Sequence, residues 1–279
     1  MNQHSDLCQI FELLSQTVWN DLKDGFGFNL PIGEEGITDH ALLDLKRLAG
    51  AQVTIYKFDR IKEGKTTGAD WEWWLCGGGK AFGMRIQAKK LDSKSLRYES
   101  LDHKVRGSRK KQINLLLKDA AAQPTPLYPI YCFYNYWPDP APNVQWNCKS
   151  FPPKWGDFGC SVADARLIKR CLASGIRDLS RISSISHPWM CLVCCTGFVG
   201  TNSILPERAR SVAQALAASY LTDPNIRLPN PIVPELTDIN EVPQYVKEVL
   251  GIKTPSSGLF SESLSERPID GLLVVQEES

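Results

Sequence analysis

A small set of polar side chains stands out for what it can do together. Glu34 and Glu35 precede the segment ITDHALLDL, Asp70 lies in TGADWEWW, and Gln87 and Lys89 alternate in RIQAKK. Hydrolysis of a phosphodiester needs such a set. Mg2+ prefers oxygen ligands and keeps several waters while it bridges to phosphate oxygens. Asp70 can bind the cation through its carboxylate, Gln87 through a neutral amide oxygen, and Glu35 directly or through a coordinated water. A cation held in this way polarises the phosphate and lowers the pKa of a bound water. Lys89, a compact positive charge, can orient that water and stabilise charge developing in the transition state. The expected catalytic residues are therefore Glu35, Asp70, Gln87 and Lys89, with Glu35, Asp70 and Gln87 as ligands to Mg2+ or Mn2+. Glu34 is an alternative to Glu35, and Glu72, on the strand face of Asp70, is a further candidate ligand.

The elements that must position these residues follow from periodicity. Leu7, Ile10, Phe11, Leu14 and Val18 form a helical stripe over residues 5–23. Ile37, Ala41, Leu45 and Leu48 form another, ending near Gly50. VTIYKFDR, WEWWLCG and MRIQAKKL are β-type segments, and the glycine-rich turn GGGKAFG joins the last two. They predict an antiparallel meander over residues 53–91. On its third strand Gln87 and Lys89 project together, while Met84, Ile86 and Ala88 face the opposite way. The 17-residue step from Asp70 to Gln87 suits one hairpin, which brings the two side by side. QINLLLKDAAA reads as a helix and PLYPIYCFYNYW as a further central strand. SVADARLIKRCLAS reads as a helix capped by Ser161, PWMCLVCCTGFV as a buried strand, and ERARSVAQALAASYL as a helix.

The fold expected is α/β, a mixed central sheet flanked by helices. A nuclease-like domain over residues 1–221, with its catalytic core at about 30–136, is expected to precede a proline-rich extension and acidic tail over 222–279. The net charge is only +1, yet nine basic and three acidic residues lie between Lys89 and Lys111. That local excess is a footprint for a phosphate backbone. Lys90, Arg106, Arg109, Lys110, Lys111 and Gln112 are the expected nucleic-acid contacts. The first residues carry no signal-peptide pattern, and the longest apolar stretch, 188–199, is too short to span a membrane. Nine scattered cysteines suit a reducing compartment better than a disulfide framework, so a cytoplasmic protein is expected.

The order Glu, Gly-x-Asp, Gln-x-Lys resembles the PD-(D/E)XK restriction-endonuclease-like superfamily, and most closely its Mrr-like branch, where Gln often replaces the first acid of the final motif. The resemblance covers about residues 30–136. The wider pattern of ITDHALLDL, GADWEWW, QAKK, PIYCFYNYW, GCSVADA and PWMCLVCC is similar to a bacterial family of unknown function placed in this nuclease class. It implies a restriction-endonuclease-like core, cleavage of DNA with RNA left open, a role in defence against phage or foreign DNA, and a homodimer or an activating partner protein. Two departures stand against the family pattern. Ala69 occupies the place of the usual proline before the acid, and Gln87 removes one negative ligand.

Other signals carry less. Gly64-Lys65-Thr66 lacks the glycine a P-loop needs five positions earlier, where Asp59 stands, and it leads into a β-type segment. Cys191, Cys194 and Cys195 with His187 have zinc-ligand spacing, but they lie in an apolar run with no second pair and read as core. The aromatic groups Trp71, Trp73, Trp74 and Tyr131 to Trp137 also read as core rather than as base-stacking platforms. No G-x-S-x-G elbow is present. Two rival functions remain: a nuclease fold that binds nucleic acid without cutting it, and a protein-interaction module of a defence system.

Overall fold

A computed structural model describes residues 3–58, 67–104, 110–138, 143–148, 150–196, 200, 203–218, 232–252 and 269–277. The apolar stripe near the N-terminus forms helix α1 (Gln3–Gly27), burying Leu7, Phe11, Leu14, Val18 and Leu22. Helix α2 (Glu34–Ala49) buries Ile37, Ala41 and Leu45 and ends at Gly50, whose φ of 56° suits a residue without a Cβ. Leu48, expected on the same stripe, is exposed; Ala49 is buried instead.

Strands β1 (Val53–Lys57), β2 (Trp71–Gly77) and β3 (Lys80–Lys90) follow, then helix α3 (Gln112–Ala122) and strand β4 (Tyr128–Tyr134). Beyond them come β5 (Cys160–Asp164), α4 (Ala165–Ala173), α5 (Leu179–Ser183), β6 (Ser186–Pro188), α6 (Cys191–Cys194), α7 (Leu205–Ala218), β7 (Thr237–Asp238), α8 (Gln244–Val249) and β8 (Gly271–Gln276). The sheet runs β1-β8-β2-β3-β4-β5-β6, with β7 paired to one end of β3. β8–β2 and β3–β4 are parallel and the other pairs antiparallel, so the sheet is mixed and mostly antiparallel.

Each face of the sheet packs on helices. Alternate residues of β3 (Phe82, Met84, Ile86, Ala88) join a core closed by α1, α2, α6 and α7, while Trp74, Tyr131, Phe133 and Leu272 on the opposite face meet α3, α4, α5 and α8. The expected mixed sheet between helices is present. The aromatic groups Trp71, Trp73, Trp74, Tyr131, Phe133, Tyr134 and Trp137 are buried in these cores, as read from the sequence.

Four local expectations are corrected. The meander is interrupted, because β8 inserts between β1 and β2 and pairs with both. The stretch 222–279 is therefore not an appendage to a complete domain: GLLVVQ forms an interior strand and residues 237–249 add β7 and α8. A short apolar run among prolines gives no sign of which distant edge it will fill. The segment at Ser161 begins as strand β5, and the helix after it is capped by Asp164, which accepts from the backbone N–H groups of Arg166 and Leu167. The apolar run from Pro188 makes one strand residue and then the short helix α6. Cys8 and Cys194 are joined in a disulfide between α1 and α6, a bond that scattered cysteines did not announce; the other seven are free. No described helix is long and apolar enough to cross a membrane.

Candidate functional site

The β2–β3 hairpin turns at Gly78 and Gly79, both at positive φ, and sets Trp71 opposite Ile86. Its register continues one step further, where the Asp70 N–H donates to the Ile86 carbonyl at 2.8 Å. Asp70 thus meets Gln87. One carboxylate oxygen, Oδ2, accepts from Gln87 Nε2 at 2.6 Å and from the Ala88 N–H at 2.8 Å. Gln87 Nε2 also donates to the Ala88 carbonyl at 3.1 Å. The remaining amide oxygen, Gln87 Oε1, is buried without a hydrogen-bond partner among the described residues. Leaving an acceptor dry costs free energy, so this atom is open to a further partner, a water or a cation. Gly68 explains the Gly-x-Asp spacing: at φ +68° it lies so close to α3 that a Cβ would fall 2.2 Å from the Gln112 carbonyl oxygen.

Helix α2 supplies the second wall. Its first residue, Glu34, reaches the end of β3, accepting from Lys89 Nζ at 3.2 Å through Oε1 and from the Lys90 N–H at 3.0 Å through Oε2. Acidic residues in the first turn also complement the helix dipole. Lys90 Nζ donates to the Ile32 carbonyl at 2.6 Å, which ties the entry of α2 to the same strand. Lys89 is only 5% exposed, and Glu34 is the carboxylate that pairs with it there.

A cleft of about 1040 Å3 opens over this junction, lined among others by Glu34, Glu35, Asp70, Gln87, Lys89 and Gln112. A smaller cavity of about 90 Å3 shares Glu34, Glu35 and Asp70 and adds Asp39 and Asp270. Burial is the largest influence on Asp70 and pushes its carboxyl up to about 7; Lys89 and the Ala88 N–H oppose the rise, and Glu34 and Asp270 add to it. A carboxyl that resists losing its proton among other carboxylates is what a bound cation would relieve.

Residues 7–279 match a family described as a family of unknown function (DUF6615). The chain belongs to this family. No curated protein matches it at a significant level. Every strand and nearly all of α1 fall inside the matched span, so the candidate site of this DUF6615 member is carried by the family's own region.

In this DUF6615 chain, the expected residues Glu35, Asp70, Gln87 and Lys89 all line one cleft. Glu34 makes the direct bonds to β3, whereas Glu35 is exposed at its side. The earlier expectation that Glu72 adds a ligand is corrected. It is fully buried and taken up by Arg85 at 2.7 Å, Trp74 Nε1 at 2.6 Å and the Tyr245 hydroxyl. Of the expected nucleic-acid contacts, Lys90 and Gln112 line the cleft, while Lys110 and Lys111 are not among its lining residues. Lys111 pairs with Asp102 at 2.8 Å. Arg106 and Arg109 lie outside the described residues.

One residue of the site, Asp270, carried no clear sign in the sequence, and the core residue Tyr131 proves to lie behind the site. Asp270 immediately precedes β8, and its N–H donates to the Asp70 carbonyl at 2.6 Å. The faint signal was the apolar run GLLVV after an acid, set inside a proline-rich stretch. Tyr131 lies opposite Gln87 in the β3–β4 register, and its buried hydroxyl has no partner among the described residues. Burial raises its pKa, with Asp70 and Glu34 adding to the effect. An alternating aromatic strand offers no way to tell which hydroxyl ends beside a polar site.

Proposed function

We propose that this chain is a metal-dependent nuclease that hydrolyses phosphodiester bonds in DNA, working at the junction of Asp70, Gln87, Lys89 and the α2 N-terminus. The observation that carries the reading is the orphaned Oε1 of Gln87 beside a carboxylate that holds its proton to about neutral pH. The element order supports it: a helix, three strands, a helix and a strand, with β3 and β4 parallel across α3, corresponds to the span over which the sequence resembles the PD-(D/E)XK nucleases.

Asp70, Gln87 Oε1, Glu34 and Glu35 are all oxygen donors around the cleft, the donor type a hard divalent cation takes, and a bound ion would draw their carboxylates closer than they now stand. When bound, Mg2+ or Mn2+ supplies charge against the phosphate oxygens and acidifies a water. Asp70 is held for this role by two N–H donors on one oxygen, leaving its other oxygen for the ligand. Gln87 keeps its amide oriented by donating to both Asp70 and Ala88. Lys89, anchored by Glu34, keeps a positive charge at the cleft wall, where it orients the attacking water and offsets charge on the phosphate. Lys90 and Gln112 are placed to contact the backbone of the same strand.

Incubation of the purified chain and its Asp70→Ala and Lys89→Ala variants with plasmid and single-stranded DNA, in Mg2+, Mn2+ or EDTA, tests this. Cutting that requires metal and disappears in both variants supports the proposal. Wild-type cutting by Asp70→Ala overturns the site. Binding without turnover in any metal would favour a nuclease fold that only binds.

A further inference from the structure

The segment first read as an apolar core strand instead gathers thiols. Among the described residues, one group of three or more histidine, cysteine or carboxylate side chains gathers its ligand atoms closely enough to hold a metal ion: Cys148, Cys191 and Cys195, whose sulfur atoms all lie within 4.8 Å of one another. All three are buried.

Local structure explains the convergence. The Cys195 N–H donates to the Cys191 carbonyl at 3.1 Å, one helical turn, so these two thiols share a face of the α6 turn. Cys194 lies between them in sequence but is committed to Cys8. The third thiol comes from 47 residues earlier in the chain. Its neighbour Asn147 anchors that loop by donating from one amide to the carbonyls of Ser183, Ser184 and Ser186 at 3.1, 3.2 and 2.8 Å. Trp146 Nε1 adds a bond to the Phe151 carbonyl at 2.9 Å. Cys148 is thereby fixed with its sulfur 3.6 Å from that of Cys195.

We infer that Cys148, Cys191 and Cys195 form a binding site for one thiophilic divalent cation, Zn2+, separate from the hard-cation site at Asp70. Zinc–sulfur bonds of about 2.3 Å in a tetrahedron separate ligand sulfurs by about 3.8 Å, close to the observed spacing. Thiolates select Zn2+ over Mg2+ because the match is one of softness, whereas the carboxylate and amide oxygens of the cleft select the reverse. The Cys148 and Cys195 sulfurs already lie within hydrogen-bond reach of each other, so the cluster needs no rearrangement to face a shared ion. The ion would clamp the loop after β4 to the turn that carries α6, and the disulfide holds α1 to the same turn. His187, the histidine of the sequence motif, is not part of the group.

The test is metal content and spectroscopy of the full chain purified in a reductant that does not bind metal. One zinc per chain by elemental analysis, and a thiolate-to-metal charge-transfer band when Co2+ replaces it, are expected. Cys148→Ser, on the loop, is expected to abolish the band and lower zinc retention at least tenfold, whereas Cys171→Ser, outside the group, leaves both unchanged. Folded wild-type protein that takes up neither Zn2+ nor Co2+ overturns the inference, as does a folded Cys148→Ser variant that binds cobalt with an unaltered band. If Cys148→Ser does not fold, the wild-type cobalt spectrum decides: a thiolate-to-metal band places the ion on sulfur, and uptake without that band overturns the inference.

Discussion

Gln87 donates its amide to Asp70 at 2.6 Å, although they lie 17 positions apart in the chain. The bond crosses from the residue just before β2 to the end of β3, and it leaves Gln87 Oε1 without a partner among the described residues. Substituting Gln87 by Glu places a second carboxylate against Asp70. Without metal the two negative charges repel, and the melting temperature is expected to fall. With Mn2+ the added charge should tighten binding on the order of tenfold, since ligand charge count sets affinity at such sites. Calorimetric titration of Mn2+ into both proteins reads the change. Equal affinities would remove Gln87 from the ligand set.

Asp70 makes stability depend on pH in a defined direction. Its carboxyl is raised from 3.8 to about 7 in the folded chain, mainly by burial. Between those values the folded state holds a proton that the unfolded state has released, so stability is lost as pH rises toward 7 and levels off above it. Asp70→Asn lacks this loss. In EDTA its stability relative to wild type is expected to grow between pH 5 and pH 8, by at most about 3 kcal/mol. Urea denaturation at the two pH values measures it, and a difference that does not change with pH would show that Asp70 is not perturbed.

The carboxylates around the smaller cavity are not equivalent. Glu34 bonds Lys89 and the Lys90 N–H, whereas Glu35 is exposed and Asp270 acts on Asp70 at a distance. Glu34→Gln is expected to lower cleavage about 100-fold, the scale of one preorganised electrostatic contact. Asp270→Asn should leave the plateau rate near wild type and only move the lower limb of the pH–rate profile toward acid, because it removes a negative neighbour of Asp70, whereas Glu34→Gln should lower the plateau as well as move the limb. Rates of plasmid nicking across pH 5.5–8.5 separate the two effects. A Glu35→Gln variant with the greater loss would reassign the contact.

Glu72 and Arg85 belong to the scaffold. Their ion pair at 2.7 Å is almost wholly dry, and Arg85 also pairs with Asp119 at 2.8 Å. Removing one partner strands the other, so Arg85→Met is expected to cost about 3–5 kcal/mol. Glu72→Gln should cost less, because the amide can still accept from Trp74 and Tyr245. Chemical denaturation curves test both, and a neutral Arg85→Met would mean that Glu72 has found other partners.

Local sequence alone determined the residues that meet on β3. Alternation along RIQAKK put Gln87 and Lys89 on one face and Met84, Ile86 and Ala88 on the other, and the glycine turn set the hairpin register that brings in Asp70. These are short-range consequences of strand geometry, and they need no knowledge of the rest of the chain. The helical stripes of α1, α2, α3 and α7 were legible for the same reason.

Tertiary structure decided the long-range partners. Whether Glu34 or Glu35 reaches Lys89 depends on where α2 begins and how it docks, and helix ends are poorly marked in sequence. That β8 enters the sheet between β1 and β2, carrying Asp270 to Asp70, depends on an open pairing edge created some 200 residues earlier in the chain, and backbone hydrogen bonding gives no side-chain signal of the choice. The same holds for Cys148: its sulfur meets Cys191 and Cys195 because Asn147 pins a loop across the fold, a contact no local spacing encodes.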